Sequence, residues 1–240
     1  MRDNLLDLVE HTFDLGCIDL VKIVGDENTT QIEGLASDLS VVIKGQFANP
    51  VPDFVGTLGM PNLNKLKTLL KLPEYAENAK LAITRKADGS PDGINFENKT
   101  GDFKNNYRFM ASEIVSDKLK TAKMSQVPWN IEFEPTVASI MRLKMQMSAN
   151  AEEPNFQVKT EDNDLKFYFG DHSSHAGNFV FQHDVGGQLK RAWSYPAIQI
   201  ANILSLSGNK TMKISDSGAA QITVDSGLAV YNYILPAQSK

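Results

Sequence analysis

Cysteine is almost missing from this sequence: Cys17 is the only one in 240 residues. No internal disulfide can form, so packing must hold the fold. Its neighbours Leu15, Gly16 and Ile18 carry no charge, and Cys17 reads as a small buried hydrophobe in a reducing compartment. Tryptophan occurs twice and aromatics make up 8%, so no surface rich in base-stacking rings stands out. No apolar run reaches the roughly 18–20 residues that a membrane-spanning helix needs. The opening Met1-Arg-Asp-Asn-Leu5 carries an early acid and no apolar stretch, unlike a secretory leader. A cytoplasmic site of action without a membrane partner is expected.

Catalytic signatures are also lacking. The sequence holds no Gly-rich phosphate loop, no Gly-x-Ser-x-Gly elbow and no Cys/His pair with an orienting acid. His172, His175 and His183, with Asp171 and Asp184 nearby, form one titratable cluster. The His-x-x-His spacing falls in a Ser/Gly-rich loop, with no helix to set both imidazoles on one side, and matches no zinc pattern. The expectation is a protein that is not an enzyme and takes neither metal nor cofactor.

Positive charge is scarce for a nucleic-acid binder. The chain carries 24 basic and 29 acidic side chains, a net charge of −5. Proteins that grip DNA with their whole surface are usually basic, because phosphate contacts supply most nonspecific affinity. The deficit lies in the first half: residues 1–118 hold 13 basic and 18 acidic groups, residues 119–240 hold 11 of each. Any DNA role must depend on where the basic groups sit.

What the sequence does contain is one unit written twice. Leu5, Leu6, Leu8, Val9 and Phe13 form an apolar helical stripe; shifted by 132 residues, Val137, Ala138, Ile140, Met141 and Met145 repeat it. Asp3 or Asn4 can cap the first helix, and Pro135 or Thr136 starts the second. Strand patterns follow at Leu20–Val24, Thr30–Gly34 and Leu39–Ile43, and again at Phe156–Thr160, Leu165–Phe169 and Asn178–Phe181. Polar turns join them. A second short helix then opens at Pro61, with Leu63, Leu66, Leu69, Leu70 and Leu72 as its stripe; its partner opens at Pro196, with Ala197, Ile200, Ile203, Leu204 and Leu206. Strands close both halves: Lys80–Thr84, Ile94–Phe96 and Asn106–Phe109, then Thr211–Ser215, Ala220–Val224 and Val230–Ile234. Ser112–Trp129 is rich in lysine and serine, poor in periodicity, and reads as a connector. The division expected is a first domain over 1–118, an interdomain connector over 119–129 and a second domain over 130–240.

This order, twice over, resembles the DNA sliding clamps, a superfamily that includes proliferating cell nuclear antigen (PCNA) and the clamps of T-even-like bacteriophages. Tyr231-Asn-Tyr-Ile-Leu-Pro-Ala237 is similar to the ending of PCNA, and Ser207–Ser215 with Gln221–Val224 resembles the family's closing strands. The resemblance implies an α+β fold of two similar domains, each with two β-α-β-β-β units, antiparallel sheets outside and helices lining a channel. It implies a bacteriophage homotrimer that encircles duplex DNA without reading sequence, tethers the replicative DNA polymerase and is placed by a clamp loader.

Under that resemblance, basic groups on the polar helix faces would meet phosphates. On the helix after Pro61 these are Lys65, Lys67 and Lys71, around Asn64 and Thr68. On the helix after Thr136, Arg142 opposes the apolar stripe with Ser139 and Gln146, and Lys144 lies at its margin. Lys190, Arg191 and Lys210 flank the last helix. Most surface lysines only solvate a helix, so these assignments stand on the resemblance. The first helix departs from it, with Asp3, Asp7, Glu10 and Asp14 against Arg2 and His11; the last helix carries no internal charge. The resemblance also implies an apolar pocket for partner tails, at Val127, Pro128, Tyr233, Leu235 and Pro236, with Trp129 a further candidate. Core packing is the plain alternative for these. Two other readings of the chain stay open: a two-domain β-rich structural or interaction protein of a virion, and a hydrolase using the histidine loop.

Overall fold

The computed structural model describes residues 1–120, 127–171, 173 and 175–238. It divides into two compact units, one of Met1–Ala122 with Asp225–Tyr231, the other of Lys123–Val224 with Asn232–Lys240. Residues 225–231 therefore pack with the first unit, although they follow the second in sequence.

The first unit opens on α1 (Arg2–His11), followed by β1 (Leu20–Gly25), β2 (Thr30–Leu35), β3 (Val42–Phe47) and β4 (Gly56–Pro61). Then come α2 (Leu63–Lys71), β5 (Lys80–Arg85), β6 (Pro91–Glu97), β7 (Lys104–Arg108) and α3 (Ser112–Lys118). The second runs β8 (Ile131–Phe133), α4 (Val137–Ala149), β9 (Asn155–Glu161), β10 (Asp164–Phe169), β11 (Gly177–Gln182) and β12 (Trp193–Pro196). It ends with α5 (Ala197–Ser205), β13 (Asn209–Ser215), β14 (Ala219–Asp225) and β15 (Ala229–Pro236). The second unit is thus β-α-β-β-β twice. The first has one such module complete, β4-α2-β5-β6-β7, preceded by α1-β1-β2-β3.

Strand pairing is antiparallel throughout the registered pairs. In the first unit β4, β1, β2 and β3 lie in that order and the opening of β15 continues the sheet, while β5, β6 and β7 form a second sheet. In the second unit β11, β10, β9 and β12 form one sheet, and the end of β15 with β14, β13 and β8 lies in the other. The units repeat down to single bridges: Gly59 of β4 pairs with Met110 just past β7, and Ser194 of β12 pairs with Gln238 just past β15.

Local chemistry sets the helix boundaries. Asn62, not Pro61, caps α2: its side-chain oxygen accepts from Lys65 N at 3.2 Å. Its backbone takes the left-handed conformation, φ 53°, which asparagine tolerates best among residues with a Cβ. Pro73 stops the helix. Pro61 and Pro196 instead end strands β4 and β12. Thr136 caps α4 by accepting from Ser139 N at 3.1 Å. Leu39 lies outside β3 in a turn, at φ 61°. Ser112–Lys118 is a helix seated by the buried Val115 and not irregular connector; residues 121–126 of the connector expected over 119–129 lie outside the described residues.

Apolar burial explains the layers. In the first unit Leu5, Leu8 and Val9 of α1 and Leu63, Leu66, Leu69 and Leu70 of α2 are at most 3% exposed, each worth about 1.5–3 kcal/mol out of water. In the second unit the buried Phe156, Phe167 and Phe181 of β9, β10 and β11 stack in turn, with ring centroids 4.4 Å and 4.3 Å apart.

Candidate nucleic-acid-facing helices and partner surface

Each unit presents a pair of packed helices, α1 with α2 and α4 with α5. On α2 the leucine side is buried and Asn64, Lys65, Thr68 and Lys71 are exposed. Lys67 lies on the flank, half-buried, where its ammonium meets the Asp14 carboxylate at 2.5 Å and lies 5.6 Å from the Phe13 ring centre. Arg2 of α1 donates to the Leu70 carbonyl at 2.9 Å, tying the two helices together. Asp3 and Glu10 face solvent, whereas Asp7 is turned toward His11 and Tyr231.

The apolar side of α4 is not the one its methionines suggest. Leu143 is its only fully buried residue, with Ser139, Ile140, Gln146 and Met147 half-buried beside it. Val137, Met141 and Met145 are 76%, 53% and 63% exposed on successive turns. The expected stripe is therefore rotated: Gln146 belongs to the packed side and Met141 and Met145 to the open one. The cause is close packing on β11. A Cβ on Gly177 would lie 2.7 Å from Gln146 Oε1, and the Arg142 guanidinium lies 5.4 Å from the Phe179 ring centre. Arg142 and Lys144 are both exposed. Lys65, Lys71, Arg142 and Lys144 make no ion pair among the described residues.

Lys144 also borders a groove of about 690 Å³ between the end of α4 and α5, together with Met147, Glu152, Glu153, Ile198 and Asn202. Ile198 is 60% exposed there, and α5 adds no charge. Lys190 and Arg191 stand before β12. The Lys190 amide donates to Asp216 at 2.9 Å, and Arg191 stacks 3.8 Å from the Trp193 ring centre. Lys210 lies at the start of β13 and donates to the Gly208 carbonyl at 2.8 Å. Partial burial holds its ammonium pKa below the usual lysine value.

The expected pocket residues separate by burial. Tyr233 and Leu235 are 0% exposed: they point into the core of the second unit and offer no surface to a partner. Val127 and Trp129 are half-buried, and Pro128 and Pro236 are exposed. The alternation of β15 buries Tyr231, Tyr233 and Leu235 on one face, which the aromatic string concealed.

His183 meets both Asp164 oxygens at 3.1 Å, and His172 lies outside the described residues. Among the described residues no three potential metal ligands come together, and no helix is long and apolar enough to cross a membrane.

No protein-family model matches the chain, and no curated protein sequence does. Solved structures match over its whole length. PCNA from Entamoeba histolytica is 13% identical with a TM-score of 0.69, covering 98% of this chain and 96% of that one. PCNA from Thermococcus kodakaraensis is 10% identical with a TM-score of 0.69, covering 99% and 97%. A. fulgidus PCNA, solved with the C-terminal region of FEN-1 bound, is 10% identical with a TM-score of 0.69, covering 100% and 97%. The chain has the sliding-clamp fold, α+β with antiparallel sheets.

Proposed function

We propose that this protein is a sliding clamp that encircles duplex DNA and tethers a replicative polymerase, with no catalytic activity of its own. The observation that carries this reading is the repeated module, which gives each unit one helix pair with basic groups on the open side. Lys65 and Lys71 in the first unit, and Arg142 and Lys144 in the second, would touch phosphates loosely. Phosphate contact carries no sequence information, so such a protein can hold DNA and still slide. Lys67, paired with Asp14, would contribute less, and Lys190, Arg191 and Lys210 would stand at the margin. An acidic surface elsewhere discourages unproductive DNA contact.

Two features support self-assembly. β7 in the first unit and β11 in the second are sheet edges, and an open edge is a template for another chain. The exposed Val137, Met141 and Met145 lie on α4, which packs against β11. A head-to-tail contact between unlike surfaces closes into a ring when the rotation allows. Three chains of two units would close it, as a bacteriophage homotrimer placed by a clamp loader. A partner tail, such as the one seen on A. fulgidus PCNA, would dock on the second unit, with Val127, Pro128 and Pro236 left to meet it.

Sedimentation equilibrium tests the assembly. The expected species has three times the 26.5 kDa chain mass; a chain that stays monomeric at micromolar concentration contradicts the ring.

A further inference from the structure

The second helices of the two units match position by position. α2 and α5 are each nine residues long, and the buried Leu63, Leu66, Leu69 and Leu70 correspond in order to the buried Ala197, Ile200, Ile203 and Leu204. The fifth position breaks the match: it is Lys67 in α2 and Ala201 in α5. In the first unit Lys67 bridges the helix pair. Its ammonium passes the Phe13 ring, 5.6 Å from the centre, and ends on the Asp14 carboxylate at 2.5 Å. Phe13 and Asp14 both follow α1 within three positions of its end.

In the second unit no side chain takes the part of Lys67. Ala201 stops at its methyl group and lines the groove of about 690 Å³ between α4 and α5, a volume in the range of sites that enclose a small ligand. The acid of the first unit has its counterpart. Glu152 and Glu153 follow α4 within four positions of its end, line the groove and make no ion pair among the described residues. Ile198, 60% exposed, and the half-buried Met147 add apolar walls. The groove thus has the carboxylate and the apolar bed of the first unit and lacks the cation.

We infer that the α4–α5 groove is a docking site for a lysine of a partner protein, with an apolar residue beside it. The ammonium meets Glu152 or Glu153, as Lys67 meets Asp14. The methylene stem lies along Ala197 and Ala201, a surface that lysine stems cover readily, and the apolar neighbour covers Ile198. Charge selects this occupant. Two acids against Lys144, exposed on the same rim, leave the groove net negative, so an acidic segment is repelled. A free polyamine has no side chain to cover Ile198. The inference does not depend on DNA encirclement, because a monomeric chain presents the same groove.

The test uses the full-length chain, ¹⁵N-labelled, and the blocked tripeptide acetyl-Leu-Lys-Leu-amide. Saturable shift changes are expected over residues 147–153 and 198–202. Norleucine in place of the lysine removes the charge and keeps the stem; that peptide should bind about fivefold more weakly, the most that a part-exposed ion pair supplies. Glu152→Gln with Glu153→Gln should weaken the lysine peptide by the same factor and leave the norleucine peptide unchanged. Lys144→Ala, which removes the competing cation, should strengthen it. Ala201→Lys restores the arrangement of the first unit and should abolish peptide binding; if that chain does not fold, the paired glutamine variant decides. Shift changes elsewhere, none at millimolar peptide, equal affinity for the two peptides, or glutamine variants that bind as the parent does would each overturn the inference. Spermidine that gives the same shifts at lower concentration would assign the groove to a free polyamine, and overturn it too.

Discussion

His11 lies flat against Tyr231, ring centroids 4.7 Å apart and planes 6° from parallel, and the Tyr231 hydroxyl donates to the Asp7 carboxylate at 2.7 Å. The three groups fasten the opening of β15 to α1 within the first unit, 224 residues apart in sequence between Asp7 and Tyr231. Tyr231→Phe keeps the stack and strips the carboxylate of a donor. Urea unfolding should show a loss of about 1–3 kcal/mol. An unchanged midpoint would mean that the bond adds nothing.

Leu143 and Met145 test the observed orientation of α4. Leu143→Ala removes its one fully buried side chain and should cost about 2–5 kcal/mol. Met145→Ala, on the open side, should change the stability of the isolated chain by no more than about 0.5 kcal/mol. Under the proposed assembly it should still weaken self-association. The reverse order of stability losses would restore the methionine side as the core side.

Much of this fold is legible in the sequence, because α2 and α5 have leucine and isoleucine stripes with one possible inner face. α4 is the exception. Apolar residues run around most of it, so periodicity favoured Val137, Met141 and Met145, while Gly177 lets β11 draw the helix in on its Leu143 side. β8 and β12 leave no pattern in the sequence, because strands of three and four residues are too short to alternate visibly. The candidate DNA-facing groups were readable as helix positions. The Lys67–Asp14 pair was not, since it joins residues 53 apart. The burial of Tyr233 and Leu235 is not legible in the sequence, because an aromatic strand written for a core looks like one written for a pocket.

Cys17 should be an unreactive thiol. Burial, with the Asp38 carboxylate adding to it, pushes its pKa from the ordinary 9.0 up to about 11. The neutral thiol is the form the fold favours. The associated stability is therefore complete below pH 9 and is lost as pH rises toward 11. At pH 8 the thiolate should be roughly a hundredfold scarcer than in an ordinary cysteine. Ellman-type labelling of the native chain should be correspondingly slow and accelerate in urea. Rapid native labelling would contradict the burial.

Lys71→Glu with Arg142→Glu reverses two exposed charges, one on each helix pair. Oligomer mass and thermal midpoint should stay unchanged. Processive synthesis on primed template should shorten, with a shallower dependence on salt than that of the unaltered chain, because fewer phosphate contacts remain to be screened. Full-length products from the double variant would take both residues out of the DNA contact.

Retention on DNA of defined topology tests encirclement most directly. Loaded protein should stay on a nicked circle through a high-salt gel-filtration column and leave when one restriction cut makes the circle linear. Protein that dissociates equally from circle and linear DNA, or survives the cut with both ends free, would contradict the account.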